Sequence, residues 1–273
     1  MTETMTLTDA AESLGVHYMT AYRYVRTGRL AAVKEGGEWR VSGTDLEAFS
    51  DAAPALPRTD VVPPMLVDRL IAGDESGAFQ ILESAMASGA GTEEIYLDIL
   101  ASAMTIVGER WHDGELSVAQ EHVASAAALR VVARLGARVS HRGRTRGTIL
   151  LASVSGDFHF LPTALIRDLL RSRGFAVVDL GANTPVESMI EMSQSIGDDL
   201  LAIGLSCSLP NMEDEIRSTI ATLNKEIEVP IVVGGGAFAH ARDTQSFGDC
   251  VRSGSGREAL DIFEGIHTEA RAR

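Results

Sequence analysis

"GTILLASVSGDFHFLP" (residues 147–162) runs from a continuous apolar stretch through an Asp-x-His loop to a proline where a helix can start. Ile149 to Ala152 show no polar alternation, the pattern of a strand covered on both faces. The same pattern returns downstream. "FAVVDLGAN" (175–183), "LLAIGLSCS" (200–208) and "VPIVVGGG" (229–236) are further buried-strand runs closing around Gly or Ser. Between them, "FLPTALIRDLLRSRG", "PVESMIEMSQSIG" and "MEDEIRSTIATLNKE" are amphipathic and read as helices. Strand–helix alternation with short links predicts a parallel sheet with helices on both faces over residues 147–273, a flavodoxin-like (Rossmann-type) α/β domain. Ligands of such sheets dock at the C-terminal strand ends. The chemically rich residues fall there: Ser155, Asp157 and His159 after the first strand, Ser206 and Ser208 after the third, Gly234 and Gly235 after the fourth. No G-x-G-x-x-G and no P-loop accompanies them, which argues against a nucleotide.

Upstream, residues 64–140 are Ala-, Leu- and Met-rich at helical spacing. They read as four helices, hence a four-helix bundle. The link between its third and fourth helices, "RWHDGELSVAQEH" (110–122), is dense in chemistry: Trp111, His112, Glu121 and His122. Alone, it reads as a bundle-capping Trp beside a solvated turn.

Residues 1–50 begin with a short helix capped by Thr8, with Ala10, Ala11 and Leu14 inward, a turn at Gly15 and a second helix from about His17. "AAVKEGGEWRV" is shaped as a two-stranded wing with Gly36-Gly37 at its tip, and "SGTDLEAF" closes the unit as a third helix. Residues 23–40 hold five basic residues against two acidic ones, in a chain of net charge −14. That overall charge excludes a protein that merely coats nucleic acid, yet leaves room for a local DNA-reading module. Residues 51–63, rich in proline and small residues, read as a linker. Two cysteines, Cys207 and Cys250, are too few for a disulfide framework, and no apolar run reaches membrane-spanning length. A cytoplasmic location, without a secretion signal or membrane association, is expected.

Three resemblances follow. The N-terminal segment resembles the MerR/excisionase-like winged helix, which implies that His17, Thr20 and Arg23 face the groove and that Arg26, Arg29, Lys34 and Arg40 contact phosphates of operator DNA. Asp157, His159, Ser206 and Gly234-Gly235 resemble the cobalamin-binding signature Asp-x-His-x-x-Gly, Ser-x-Leu, Gly-Gly, with Pro162 and Ser208 in place of the signature's Gly and Leu. The resemblance implies His159 as the lower axial cobalt ligand and Ser206 as hydrogen-bond partner of the displaced cofactor base. Trp111, nine residues, then Glu121-His122 resembles the light-sensing adenosylcobalamin-dependent repressors of the CarH type. In that family, by implication, Trp111, Glu121 and His122 surround the upper ligand and His112 takes its place on cobalt after light. Adenosylcobalamin is the expected form, with methylcobalamin or hydroxocobalamin as alternatives. The implied protein is not an enzyme but a photoreceptor regulator, a homo-oligomer (dimer or tetramer) whose DNA binding depends on light. A corrinoid methyl shuttle of a methyltransferase system and a cobalamin- or bilin-sensing regulator are the competing readings.

Overall fold

The computed structural model describes residues 4–13, 18–26, 30–52, 62–139, 143–239 and 247–272. The N-terminal unit comprises β1 (Thr4–Thr6), α1 (Leu7–Ser13), α2 (Tyr18–Arg26), β2 (Val33–Glu35), β3 (Glu38–Ser42) and α3 (Gly43–Ala52). The wing is a tight hairpin: Glu35 pairs with Glu38 around Gly36 and Gly37, whose φ angles of 59° and 94° suit glycine. β1 pairs with β3 on its other edge, an addition to the expected two strands. The cap of α1 is Thr6, not Thr8. Thr6 Oγ1 accepts from the Asp9 backbone N–H (3.2 Å), while the Thr6 N–H donates to the Asp9 carboxylate (3.1 Å). That reciprocal box needs an extended cap residue, which β1 supplies. Ala10, Ala11, Ala21, Tyr24 and Leu30 form this unit's small core; Leu14 and Gly15 lie outside the described residues.

Of the linker expected over 51–63, residues 53–61 lie outside the described residues. The bundle follows: α4 (Val62–Ile71), α5 (Glu75–Ala87), a π-helical segment (Glu94–Ala101) running into α6 (Ser102–His112), and α7 (Val118–Gly136). Asp74 caps α5 by accepting from the Gly77 N–H, and Ser117 with Gln120 forms a capping box on α7.

The α/β unit holds β4 (Thr148–Ser153), α8 (Leu161–Ser172), β5 (Ala176–Asp179), α9 (Val186–Ile196), β6 (Leu200–Ser206), α10 (Glu213–Glu226), β7 (Ile231–Gly234), the short α11 (Gly236–Ala239), β8 (Val251–Arg252) and α12 (Gly256–Ala272). Its five strands are all parallel, ordered β5-β4-β6-β7-β8. The order reverses between β4 and β6, so their C-terminal ends part to leave the crevice characteristic of flavodoxin-like sheets.

One hydrophobic core spans the bundle and the adjoining sheet face, joining residues such as Leu66, Phe79 and Val131 to Ile149, Leu169 and Phe263. A second core fills the other sheet face beneath α9 and α10. The seam also carries polar contacts, from a buried hydrogen bond to partly exposed ion pairs. Tyr96 Oη donates to Asp168 Oδ2 (3.0 Å), and a Cβ on Gly136 would stand 2.4 Å from that same oxygen. Arg173 pairs with Glu93 (2.6 Å) and Arg257 with Asp98 (2.9 Å). The bundle is therefore fastened onto the α/β unit rather than tethered beside it.

Candidate cofactor site

The crevice is built from the loops after β4, β5 and β6. Asp157, fully buried, organises it. Its Oδ1 lies 2.6 Å from His159 Nδ1 and accepts the His159 backbone N–H at 3.1 Å, while its Oδ2 accepts the Ser208 N–H at 2.6 Å. Asn183, in a left-handed conformation with φ of 49°, donates its N–H to the Asp157 carbonyl (2.7 Å) and accepts the Gly156 N–H on its side chain (2.8 Å). Three loops from three strands are thus tied to one carboxylate and its neighbours. Burial works to raise the Asp157 pKa, but hydrogen bonds from His159 and the Ser208 N–H prevail and hold it below the usual carboxylate range. The bond to Asp157 raises the pKa of His159 against the opposing effect of burial.

That geometry leaves His159 Nε2 without a hydrogen bond among the described residues, on a half-exposed ring. A carboxylate on one imidazole nitrogen fixes the tautomer and prepares the other nitrogen for a metal. Ser206 Oγ is buried with no hydrogen-bond partner, the state of a hydroxyl waiting for a ligand atom. Gly235, with φ of 108°, lets the chain after β7 close on β6: a Cβ there would stand 2.3 Å from the Cys207 carbonyl oxygen. Gly234 ends β7, and Ser155 lies half-buried in the turn after β4. Two side chains flanking His159, Phe158 and Phe160, are 68% and 53% exposed, an arrangement costly in water and suited to a flat, largely apolar ligand. Together these features fit cobalamin. Bound cobalamin would find an unbonded imidazole nitrogen at His159, an unpartnered hydroxyl at Ser206 and an apolar rim in the two phenyl rings.

Pro162 lies in the first turn of α8, where its missing N–H costs nothing. Phe160 and Asn183 were absent from the residues expected at this site. The signal for Asn183 was the turn composition of "GANTP", for the phenyl rings their place beside the loop histidine.

The other expected site residues lie at the end of the bundle where α6 finishes and α7 starts. Trp111 and His112 occupy the last turn of α6, and Trp111 is 47% exposed. Glu121, on the first turn of α7, bonds His122 Nδ1 (2.7 Å) and Ser125 Oγ (2.5 Å). Its negative charge lies within electrostatic reach of His159 and adds, after the larger effect of Asp157, to raising that imidazole's pKa.

In the N-terminal unit the expected DNA-contacting residues are only partly described. His17 and Arg29, and the side chains of Thr20 and Arg23, lie outside the described residues. Arg26 and Lys34 are exposed, Lys34 lying 6.0 Å from the Trp39 ring centre, and Arg40 sits on β3 with Glu38 at 4.0 Å.

Comparison with known proteins defines the class. Residues 65–135 and 147–264 each match a family model described as a B12 binding domain, and residues 4–52 match one described as a helix-turn-helix domain. The chain thus carries B12-binding domains behind an N-terminal helix-turn-helix, and cobalamin binding is supported. Among individual relatives, the dimethylamine corrinoid protein of Methanosarcina barkeri is 28% identical over 194 residues, 68% of this chain and 88% of the relative. The trimethylamine corrinoid protein 1 of Methanosarcina acetivorans is 24% identical over 201 residues, 71% of this chain and 89% of the relative. In fold, the chain is similar to the monomethylamine corrinoid protein of Methanosarcina barkeri, with a TM-score of 0.63 at 20% identity, covering 74% of this chain and 96% of the other. Among the described residues no helix is long and apolar enough to cross a membrane.

Proposed function

We propose that this chain is a cobalamin-dependent transcriptional regulator, with adenosylcobalamin as its ligand and light as its signal. The observation that supports the reading is the union, on one chain, of a helix-turn-helix with a B12-binding domain whose loop histidine, His159, lies within electrostatic reach of Glu121. When bound, the cofactor supplies a light-labile carbon–cobalt bond. His159 would hold cobalt from below, oriented by Asp157. Ser206 would bond the displaced base, and Gly234 and Gly235 would admit the nucleotide tail; Ser155 and Ser208 would line its slot. Above, Trp111 would give the upper ligand an apolar platform, Glu121 and His122 would offer polar contacts, and His112 would be the imidazole available to cobalt after illumination. The winged helix would read operator DNA through His17, Thr20 and Arg23, with Arg26, Arg29, Lys34 and Arg40 on phosphates. Assembly into a dimer or tetramer would multiply the affinity of a single weak reader.

The relatives named above favour a second reading, a corrinoid component that passes methyl groups to a partner methyltransferase. A shuttle has no use for a DNA reader, and it needs an upper face open to its partner. The deciding experiment reconstitutes the full chain with adenosylcobalamin in the dark, then measures elution volume and DNA retention before and after illumination. The regulator reading expects a light-reversible change in both. No change in either, with methyl turnover alongside a methyltransferase, would replace it with the shuttle.

A further inference from the structure

At the opposite end of the sheet from the cofactor crevice, the chain entering β4 meets the last turns of α12. Arg144, Thr145 and Arg146 there face His267, Thr268 and Arg271 across a cleft of about 870 Å³. Arg146 is held rigidly. It takes both oxygens of Glu264 (2.8 and 2.5 Å), donates to the Arg173 carbonyl (3.0 Å), and lies 4.7 Å from the centre of the Phe175 ring. His267 packs edge-on against that same ring, with centroids 5.8 Å apart. Arg144 and Arg271 have no ion-pair partner among the described residues.

Arg144 and Arg271 therefore line the cleft beside an Arg146 already paired with Glu264, in a chain whose net charge is −14. A cation in the last turn of a helix offsets the carbonyl dipole, which accounts for Arg271 but not for Arg144, whose segment is not helical. Guanidinium forks, with a hydroxyl and an imidazole beside them, are the donor set that matches phosphate oxygens. We propose that this cleft binds a small phosphate-bearing ligand, at a site roughly 20 Å, one six-residue strand, from the cofactor crevice. A small ligand is favoured over nucleic acid on two grounds: the surface is concave and of metabolite size, and the acidic chain repels a long polyanion.

The test is a pyrophosphate titration of the full cobalamin-loaded chain, read by calorimetry and by the His267 ring resonances. Saturable binding in the sub-millimolar range is expected, with the His267 signals moving. The double variant Arg144→Ala/Arg271→Ala should bind about tenfold or more weakly, since each removes a charge-assisted contact. The double variant to Lys keeps the charge but loses the planar fork, so it should bind more weakly than the parent and more tightly than the Ala variant, and the cobalamin spectrum should be unchanged in both. Absent binding, or binding that the Ala variant leaves intact, overturns the proposal. So does a loss of non-operator duplex binding in the Ala variant while pyrophosphate fails to bind, which would assign the cleft to a DNA backbone. None of these readouts depends on light or on the upper ligand.

Discussion

His159 Nδ1 lies 2.6 Å from Oδ1 of Asp157, a carboxylate with no exposed surface. The aspartate faces two ways: one oxygen serves the imidazole, the other accepts the Ser208 N–H from the neighbouring strand end. Orientation of the candidate metal ligand and closure of the crevice therefore depend on the same side chain.

Asp157→Asn tests that coupling. The amide keeps the size but loses the charge and puts an N–H₂ where one acceptor stood. Loss of such a carboxylate behind a metal-binding histidine costs about 10–100-fold in affinity, and cobalamin titration should show a loss of that order. Undiminished affinity would remove Asp157 from this role.

Ser206→Ala should act with opposite sign in the two states. In the cofactor-free protein it removes a buried hydroxyl that has no partner, so stability should hold or rise by up to about 1 kcal/mol. With cobalamin bound, the same change removes a hydrogen bond and should lower affinity. Paired thermal melts with and without cofactor would read the difference, and equal shifts in both would refute it.

Tyr96→Phe leaves Asp168 buried beside Arg167 but without its phenol donor, and should cost about 1–3 kcal/mol in denaturant unfolding. Gly136→Ala pushes a methyl onto the same carboxylate and should destabilise the same seam. Because bundle and sheet share one core, both variants should unfold the bundle and the α/β unit in a single transition.

Cys207 is fully buried beside the crevice, and burial first, then the charge of Asp157, pushes its thiol up to about 11. At pH 8 that leaves roughly one thiolate in a thousand, so it should resist alkylation in the folded chain while unfolded protein reacts readily. Rapid labelling of Cys207 in native protein, located by mass spectrometry, would contradict this.

His112→Ala should bind adenosylcobalamin in the dark like the parent chain but lose the stable spectrum of the illuminated form. An unchanged illuminated spectrum would take His112 out of the light response.

Much of this architecture was legible because its signals are local. Uninterrupted apolar runs marked the central strands, helical spacing marked the bundle, and Gly36-Gly37 marked the wing tip. The misses share a cause. β1 and β8 are three and two residues long, too short for any period to register, and exist because a neighbouring strand offers an open edge. Thr6 displaced Thr8 as a cap because β1 holds it extended. The π-helical turn that carries Tyr96 to Asp168 has no mark in composition.

The amino-acid order was enough to set out strands, helices and a loop bearing Asp157 and His159, since periodicity and turn chemistry act over a few residues. It could not show that β6 lies beside β4, so that the Ser208 N–H, 51 positions away, meets Asp157. Nor could it show that Ser206 is left without a partner, or that the charge of Glu121 reaches His159. Those relations depend on distances between residues remote along the chain, and such distances arise only when the sheet closes and the bundle shares its core.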